Sequence, residues 1–556
     1  MRTATDVISA ARQAAAQGDA REAGRLFSEG LQLHPDDPSL NAHAASFALS
    51  QKNFEEAIKL YRHAVELSPR NTDWILDLAI ALTSAENFPA AIDQLERVED
   101  ACASMPRYWS IRANAARQNG DIEGAASSYD RCLTLQPDHP RALHGRARVA
   151  LVRAEEEAPA FFERALAVVP SDADLWLGKA QALDAAGRLE EARDLTAQLL
   201  KQAPHWVDAL NLMAQLKAAA GEAHVDAHFY EAARRQPGAS AIPVAHIRHL
   251  ALREEYAEAA LVAAEAARRF PEDEFFALSH ASNTGMAGDL EQADTLFSQL
   301  SQNTPERALQ EGRHRLRRGD LDEAERLLLD AASHAALAQS AHALLYFVWR
   351  LQDDARANWL HGQDGLVQLV ALPDSAKFLD DVVHTLGRIH DQSSFPVGQS
   401  LRGGTQTRHI LFQRKERDLH KLKRSIEGAL EIYRRNLPQA DPAHPLLRHR
   451  NSDWSLAGSW SVRLSGGGDH HASHIHPQGV LSSALYLVLP ETAGGAGHLE
   501  LGRPPLDLRL DLGPFQTIEP KIGHLALFPS TLFHGTTPFA GKSRMTVAFD
   551  VVPVID

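Results

Sequence analysis

Gly319-Asp320-Leu321-Asp-Glu-Ala324 is a phrase that the chain writes more than once. Gly288-Asp289 runs into Leu290-Glu-Gln-Ala293, Gly187-Arg188 into Leu189-Glu-Glu-Ala192, and Phe54-Glu-Glu-Ala57 repeats the second half. The same turn stands at Gly18-Asp19 and Gly120-Asp121. Prolines keep time with it at 35, 69, 106, 137, 170, 204, 237, 271 and 305, where they read as the ends of helical patterns. Most steps are 33 or 34 residues, and the 37 and 31 on either side of Pro106 sum to two ordinary repeats. A period of this length marks a repeat architecture. Each unit is two short amphipathic helices that cannot bury their apolar faces alone, so neighbours must stack.

Trp74, Trp109 and Trp176 fall near the start of the first helix of their units, and small alanines recur where paired helices approach. In its period and in these Trp, Gly, Ala and Pro positions the chain resembles the tetratricopeptide repeat. About ten units fit between residue 5 and about 360, and the last, Ser340 to Gly362, lacks the proline and reads as a cap. The resemblance implies a concave groove for an extended peptide or protein; the alternative is a passive spacer or dimerisation arm. Residues 1–365 are assigned to this solenoid.

Composition limits the rest. With 57 Lys plus Arg against 72 Asp plus Glu the net charge is −15, which disfavours phosphate recognition and a nucleic-acid partner. Hydrophobic content of 44% is that of a globular chain. Two cysteines, Cys102 and Cys132, cannot build a disulfide framework; they read as core residues in a reducing compartment. No apolar run approaches a membrane span, and the expectation is a cytoplasmic protein without a membrane partner.

From about Pro373 the rhythm stops. One helix is clear over Asp418 to Arg435, preceded by a Gly-rich loop, Gly398-Gln-Ser-Leu-Arg-Gly-Gly-Thr-Gln-Thr407. Strands follow. Trp460, Val462 and Leu464 share one face of Ser459–Leu464, with Ser461 and Arg463 on the other. Further strands are expected at Ser483–Leu489, His498–Leu501, Leu508–Leu512, Thr517–Glu519, His524–Phe528 and Met545–Val552. Many short strands punctuated by Gly and Pro indicate a sandwich or barrel.

The histidines carry the chemistry. Asp469-His-His-Ala-Ser-His-Ile-His476 concentrates four, and His534 follows another strand, with Arg544 ten residues on. His474 and His476 are two apart, so on extended backbone both side chains point to one side. A distant histidine on a neighbouring strand completes a face, as an open non-haem iron centre requires. A bound dicarboxylate then needs a cation for its remote end, and an arginine fork supplies it.

These residues, with Gly458-Ser-Trp-Ser-Val-Arg-Leu464, His474-Ile-His-Pro-Gln-Gly479, Leu527-Phe-Pro-Ser530, His534-Gly-Thr-Thr-Pro538 and Arg544-Met-Thr-Val-Ala-Phe-Asp550, resemble the bacterial 2-oxoglutarate/Fe(II) oxygenases fused behind tetratricopeptide repeats. More distantly, His474 to Pro490 and the His534/Arg544 spacing are similar to the aspartyl/asparaginyl β-hydroxylases. The resemblance implies an all-β double-stranded β-helix, jelly-roll or cupin-like, with flanking helices over 366–556 and its core at about 455–554. It implies Fe(II), 2-oxoglutarate and O2, with His474, His476 and His534 on the metal and Arg544 on the co-substrate.

One departure stands out. The common triad is His-x-Asp with a distant His, and here His476 fills the carboxylate slot. A three-histidine site, a two-histidine site completed by water, and Asp469 swinging in all remain open. Arg402, Arg463 and Tyr486 are further co-substrate candidates; Gln399, Thr405, Gln406 and His471 are candidates for the substrate side, with His470 solvated. The expected activity is hydroxylation of a peptide or protein side chain captured by the repeats. Two rivals are a scaffold with a catalytically inactive β-domain and a three-histidine iron dioxygenase that does not use 2-oxoglutarate.

Overall fold

A computed structural model describes residues 2–391, 400–490, 496–539, 541 and 543–554. The chain divides into two compact units, Met1–Ala182 and Leu183–Asp556. Among the described residues, ten antiparallel helix pairs run from Ala4–Ala16 with Ala20–Leu33 to Pro305–Arg318 with Leu321–Ala332, and Ala338–Leu351 follows as a single helix. No helix among them is long and apolar enough to cross a membrane.

The recurring phrase now has a local cause. Gly18 and Gly120 take positive φ (+83° and +81°), which a side chain disfavours, and so end the first helix of their units. The next residue caps the second helix: Asp19 accepts from the Glu22 N–H and Asp121 from the Gly124 N–H. Such a cap contributes about 1 kcal/mol. Seven of the nine periodic prolines follow a helix, but Pro106 and Pro305 open one. Proline is tolerated there because the first helical N–H has no partner within the helix. Cys102 and Cys132 are buried and free.

In the second unit the repeats give way to strands in mid-unit. Residue 365, where the repeat pattern ends, lies inside the unit. The strands are β1 (Gln368–Ala371), β2 (Leu401–Arg402), β3 (Thr405–Gln406), β4 (Trp454–Leu464), β5 (His470–His471), β6 (Leu481–Val488), β7 (Leu499–Leu501), β8 (Gln516–Ile518), β9 (His524–Pro529), β10 (His534–Thr536) and β11 (Arg544–Pro553). They form antiparallel sheets in the orders β1-β9-β6-β11-β4-β3 and β10-β7-β8, with a β2-β5 ribbon. The sequence indicates β4, β6, β7, β8, β9 and β11; β1, the short strands β2, β3, β5 and β10, and the helix Ala376–Asp391 it does not.

Strand alternation divides the large sheet into two cores. Leu525 and Leu527 of β9, and Met545, Val547, Phe549 and Val551 of β11, pack with Phe378, Val382, Leu422, Ile426 and Tyr433 from helices Ala376–Asp391 and Arg417–Asn436. Ala526 and Phe528 point the other way. They join Tyr486, Leu499, Leu501 and Ile518 in a core that also contains Leu316, Leu344, Tyr346, Phe347 and Trp349 of the last repeats. The β-domain and the final repeat helices therefore share one core.

The strand expected at Leu508–Leu512 is instead a 3-10 turn, Leu506–Leu508, running into irregular chain. Side chains from the repeats hold this segment away from ladder pairing. Arg313 makes a fork to the Asp507 carboxylate at 2.8–3.0 Å, and Arg317 donates to the Asp507 carbonyl at 2.7 Å and to its carboxylate at 3.1 Å. Arg317 is 2% exposed in its side chain and Asp507 10%. Breaking such a pair on one side strands the other charge. Asp507→Ala is expected to destabilise the protein by about 3–5 kcal/mol, read as a lowered denaturant midpoint in equilibrium unfolding.

Candidate metal centre

The histidines meet because two backbones are tied together. The His474 N–H donates to the His534 carbonyl at 3.0 Å and the His534 N–H returns a bond at 2.9 Å, an antiparallel bridge outside the longer strands. Their ring centroids are 4.3 Å apart. His476, two residues along, brings its ring to 5.0 Å from His474 and 5.1 Å from His534. One nitrogen from each of the three lies within 4.8 Å of the others. Phe528 meets the His534 ring edge-on at 4.8 Å, and Trp460 stands 5.2 Å from that of His476.

Hydrogen bonds fix which nitrogen is free. Nδ1 of His474 faces the Ala472 carbonyl at 2.8 Å, Nδ1 of His534 faces the Leu532 carbonyl at 3.1 Å, and Nδ1 of His476 faces Asp550 Oδ1 at 2.5 Å. Carbonyls and carboxylates only accept, so each Nδ1 carries a proton, and in the neutral ring Nε2 then keeps a lone pair. The Nε2 atoms of His474 and His476 are 3.0 Å apart. At that distance either a proton is shared between the two nitrogens or a metal ion lies between their lone pairs. Burial pulls His474 down to about 3 and His534 well below the ordinary histidine range, so both stay neutral, the form that ligates. The donor set fits a divalent transition metal.

Arg544 lines the same cavity, which has a volume of about 570 Å³. It is 3% exposed, donates to the Gly497 carbonyl at 2.8 Å and lies 5.4 Å from the centre of the Tyr486 ring. Its Nε and the Tyr486 hydroxyl are buried without a hydrogen-bond partner. Among the described residues no carboxylate pairs with it. Burial lowers the Arg544 pKa and raises that of Tyr486 to about 12. A buried cation without a counter-charge is costly. An anionic ligand satisfies guanidinium and phenol together.

The other residues that the sequence singles out are dispersed. His471 lines the cavity, its Nδ1 3.2 Å from the Ser400 hydroxyl, which also lies 3.3 Å from His474 Nε2. Gln406 lines it as well. Thr405 does not; its hydroxyl meets His390 Nδ1 at 2.9 Å. Arg463 lies on the face of β4 opposite Trp460 and pairs with Asp391 at 2.8 Å, away from the cavity. Arg402 reaches Glu254 on the repeats. Asp469 accepts from the Ser465 N–H at 2.8 Å and does not line the cavity. Gln399 falls outside the described residues.

Two contributions escape the sequence reading. One is Asp550 behind His476, which alternation along β11 marks: Arg544, Thr546, Ala548 and Asp550 all line the cavity. The other is the turn between helices Ala241–Leu252 and Tyr256–Arg269, whose Ala251, Leu252, Glu254 and Tyr256 form part of the cavity wall. No periodic signal distinguishes this turn from its neighbours.

Comparison with known proteins agrees with this architecture. Residues 458–550 match the family model described as "Putative 2OG-Fe(II) oxygenase", and residues 14–61, 48–115, 112–161 and 153–216 match tetratricopeptide-repeat models. Tetratricopeptide-repeat models thus match part of the helical region, and the oxygenase model matches the strand-rich C-terminal region. It is 28% identical over 178 residues to Protein FlbA of Caulobacter vibrioides, covering 31% of this chain and 30% of that one. It is 25% identical over 154 residues to cellulose synthase operon protein C of Pseudomonas fluorescens, covering 26% and 12%. The chain thus spans less than a third of the length of these relatives. Among solved structures it is similar to PilW, a type IV pilus biogenesis factor, at 17% identity and a TM-score of 0.35 over 38% of this chain and 97% of that one. It is also similar to YrrB, a repeat protein with an unusual peptide-binding site, at 17% identity and a TM-score of 0.27 over 31% and 89%.

Anaerobic titration with Co(II) is expected to saturate at one ion per chain. His474→Ala and His534→Ala should each weaken binding by more than the ~10–100-fold typical of losing a partner behind a ligand. His470→Ala, whose ring Nδ1 faces the Gly468 carbonyl instead, should leave it unchanged.

Proposed function

We propose that the protein is a 2-oxoglutarate- and Fe(II)-dependent oxygenase that hydroxylates a side chain of a peptide or protein brought to the cavity by the repeats. The observation that carries this reading is the pairing, in one cavity, of three convergent imidazole nitrogens with a buried arginine that has no counter-charge among the described residues. His474, His476 and His534 would hold the iron, and Arg544 with the Tyr486 hydroxyl would take the remote carboxylate of 2-oxoglutarate. Together iron and co-substrate supply the oxidising chemistry, with O2 consumed and succinate and CO2 released as a substrate C–H bond is hydroxylated. The protein orients and encloses. Trp460, Val462 and Phe528 give the cavity apolar walls that exclude water.

Capture by the repeats is supported by the wall that they contribute. Leu252 is 62% exposed and lines the cavity together with Tyr256, so a substrate side chain entering there meets the repeat turn as well as the β-domain. A specific observation favours the three-histidine dioxygenase as second reading: an imidazole stands where the common triad has a carboxylate. That reading leaves the Arg544 charge without a proposed counter-ion among the described residues.

Succinate release from 2-oxoglutarate with added Fe(II) and ascorbate separates the possibilities. Wild type should turn over, His534→Ala should not, and Arg544→Ala should raise the KM for 2-oxoglutarate a hundredfold or more, as expected for losing about 3 kcal/mol of a buried charge pair. Arg544→Lys should rescue little, because an ammonium cannot reproduce the fork. Activity on substrate that survives Arg544→Ala would favour the second reading, and absent metal binding would favour an inactive scaffold. Leu252→Asp should leave substrate-free turnover intact while lowering modification of a protein substrate.

A further inference from the structure

We propose that Asp550 is the positioning residue for His476, moving the carboxylate of an iron triad from the ligand position to the far side of the imidazole. The proposal rests on His476 being a ligand. Asp550 Oδ1 lies 2.5 Å from His476 Nδ1, and His476 is its side-chain hydrogen-bond partner among the described residues. The two side chains are 20% and 18% exposed, sheltered enough for the bond to persist against water.

The position is built by the sheet. Asp550 sits opposite Gly458, and the register of β11 against β4 slips between Asp550 and Val551. An irregularity of this kind re-aims a side chain. At Gly479 an added Cβ would come within 3.2 Å of the Val551 carbonyl and 3.3 Å of the Asp550 Cβ, so glycine there leaves room for this segment of β11. Glu254 and Asp550 are the carboxylates lining the cavity, and Glu254 is taken by Arg402. Asp550 does not belong to the group whose donor atoms converge. It acts through His476, fixing the Nδ1–H tautomer so that Nε2 faces the metal, the role that carboxylates take behind metal-bound histidines.

A double-mutant cycle read by Co(II) affinity tests this. Asp550→Ala should weaken Co(II) binding by about 10–100-fold in the otherwise wild-type chain. It should have no further effect when His476 is already alanine. In the metal-free protein, ¹⁵N-histidine NMR should show His476 leaving the Nδ1–H tautomer in Asp550→Ala, which a purely structural loss would not cause. Asp550→Ser serves in the same cycle if the alanine variant does not fold by circular dichroism. An equal loss in both backgrounds would make Asp550 an independent ligand or fold determinant and overturn the proposal. So would unchanged affinity in Asp550→Ala. If His476→Ala alone binds Co(II) as wild type does, the three-imidazole reading itself fails, a result distinct from the other two.

Discussion

The alternation of a single strand organises the C-terminal domain. From Arg544 to Val551, β11 sends every second side chain to one core: Met545, Val547, Phe549 and Val551 are buried under the helices. The intervening Arg544, Thr546, Ala548 and Asp550 line the cavity. A one-residue slip would exchange the two sets and place an arginine and an aspartate in an aliphatic core. Pairing on both sides, with β4 and β6, makes that slip costly. The same register that makes the domain fold therefore puts a cation at one end of the cavity and a carboxylate at the other.

The last repeats are part of this arrangement rather than an appendage. Tyr346, Phe347 and Trp349 share a core with Leu499, Leu501 and Phe528, so the β-domain completes its burial on the last repeat helices. Arg350 adds a bond to the Gly502 carbonyl at 2.8 Å, near the segment that Arg313 and Arg317 hold through Asp507. Irregular chain between β7 and β8 is stabilised by charged side chains from the helices in place of a ladder. That tight docking is what allows a repeat turn to serve as a wall of the cavity.

What was legible in the sequence follows from periodicity. The 34-residue rhythm, the Gly-Asp turns and the alternation of Trp460 to Leu464 each repeat a local rule, and each gave the right element. The misreadings occur where a distant partner overrides the local pattern. Leu508–Leu512 alternates like a strand, yet Arg313 and Arg317 claim Asp507 and the segment turns. Arg463 carries the right charge for a co-substrate but lies on the wrong face, paired with Asp391. The histidines were legible because two-residue spacing fixes a common side. Asp550 was missed although it is in phase with Arg544, since nothing local ties it to a histidine 74 residues earlier.

The exchange of a carboxylate for His476 poses a question of charge. A triad of two histidines and a carboxylate gives a divalent ion one negative charge directly; three neutral imidazoles give none. In a cavity that also buries the Arg544 cation, a metal held only by neutral donors would leave positive charge concentrated in a poorly solvated volume. With a metal on His476, Asp550 would relieve this from one hydrogen bond away, with its charge transmitted through the ring. A doubly anionic co-substrate would relieve the remainder, one carboxylate at the metal and one at Arg544. On the proposed function, a cavity so charged would favour a dianion over a monoanion, and a dicarboxylate long enough to reach both centres over a shorter one.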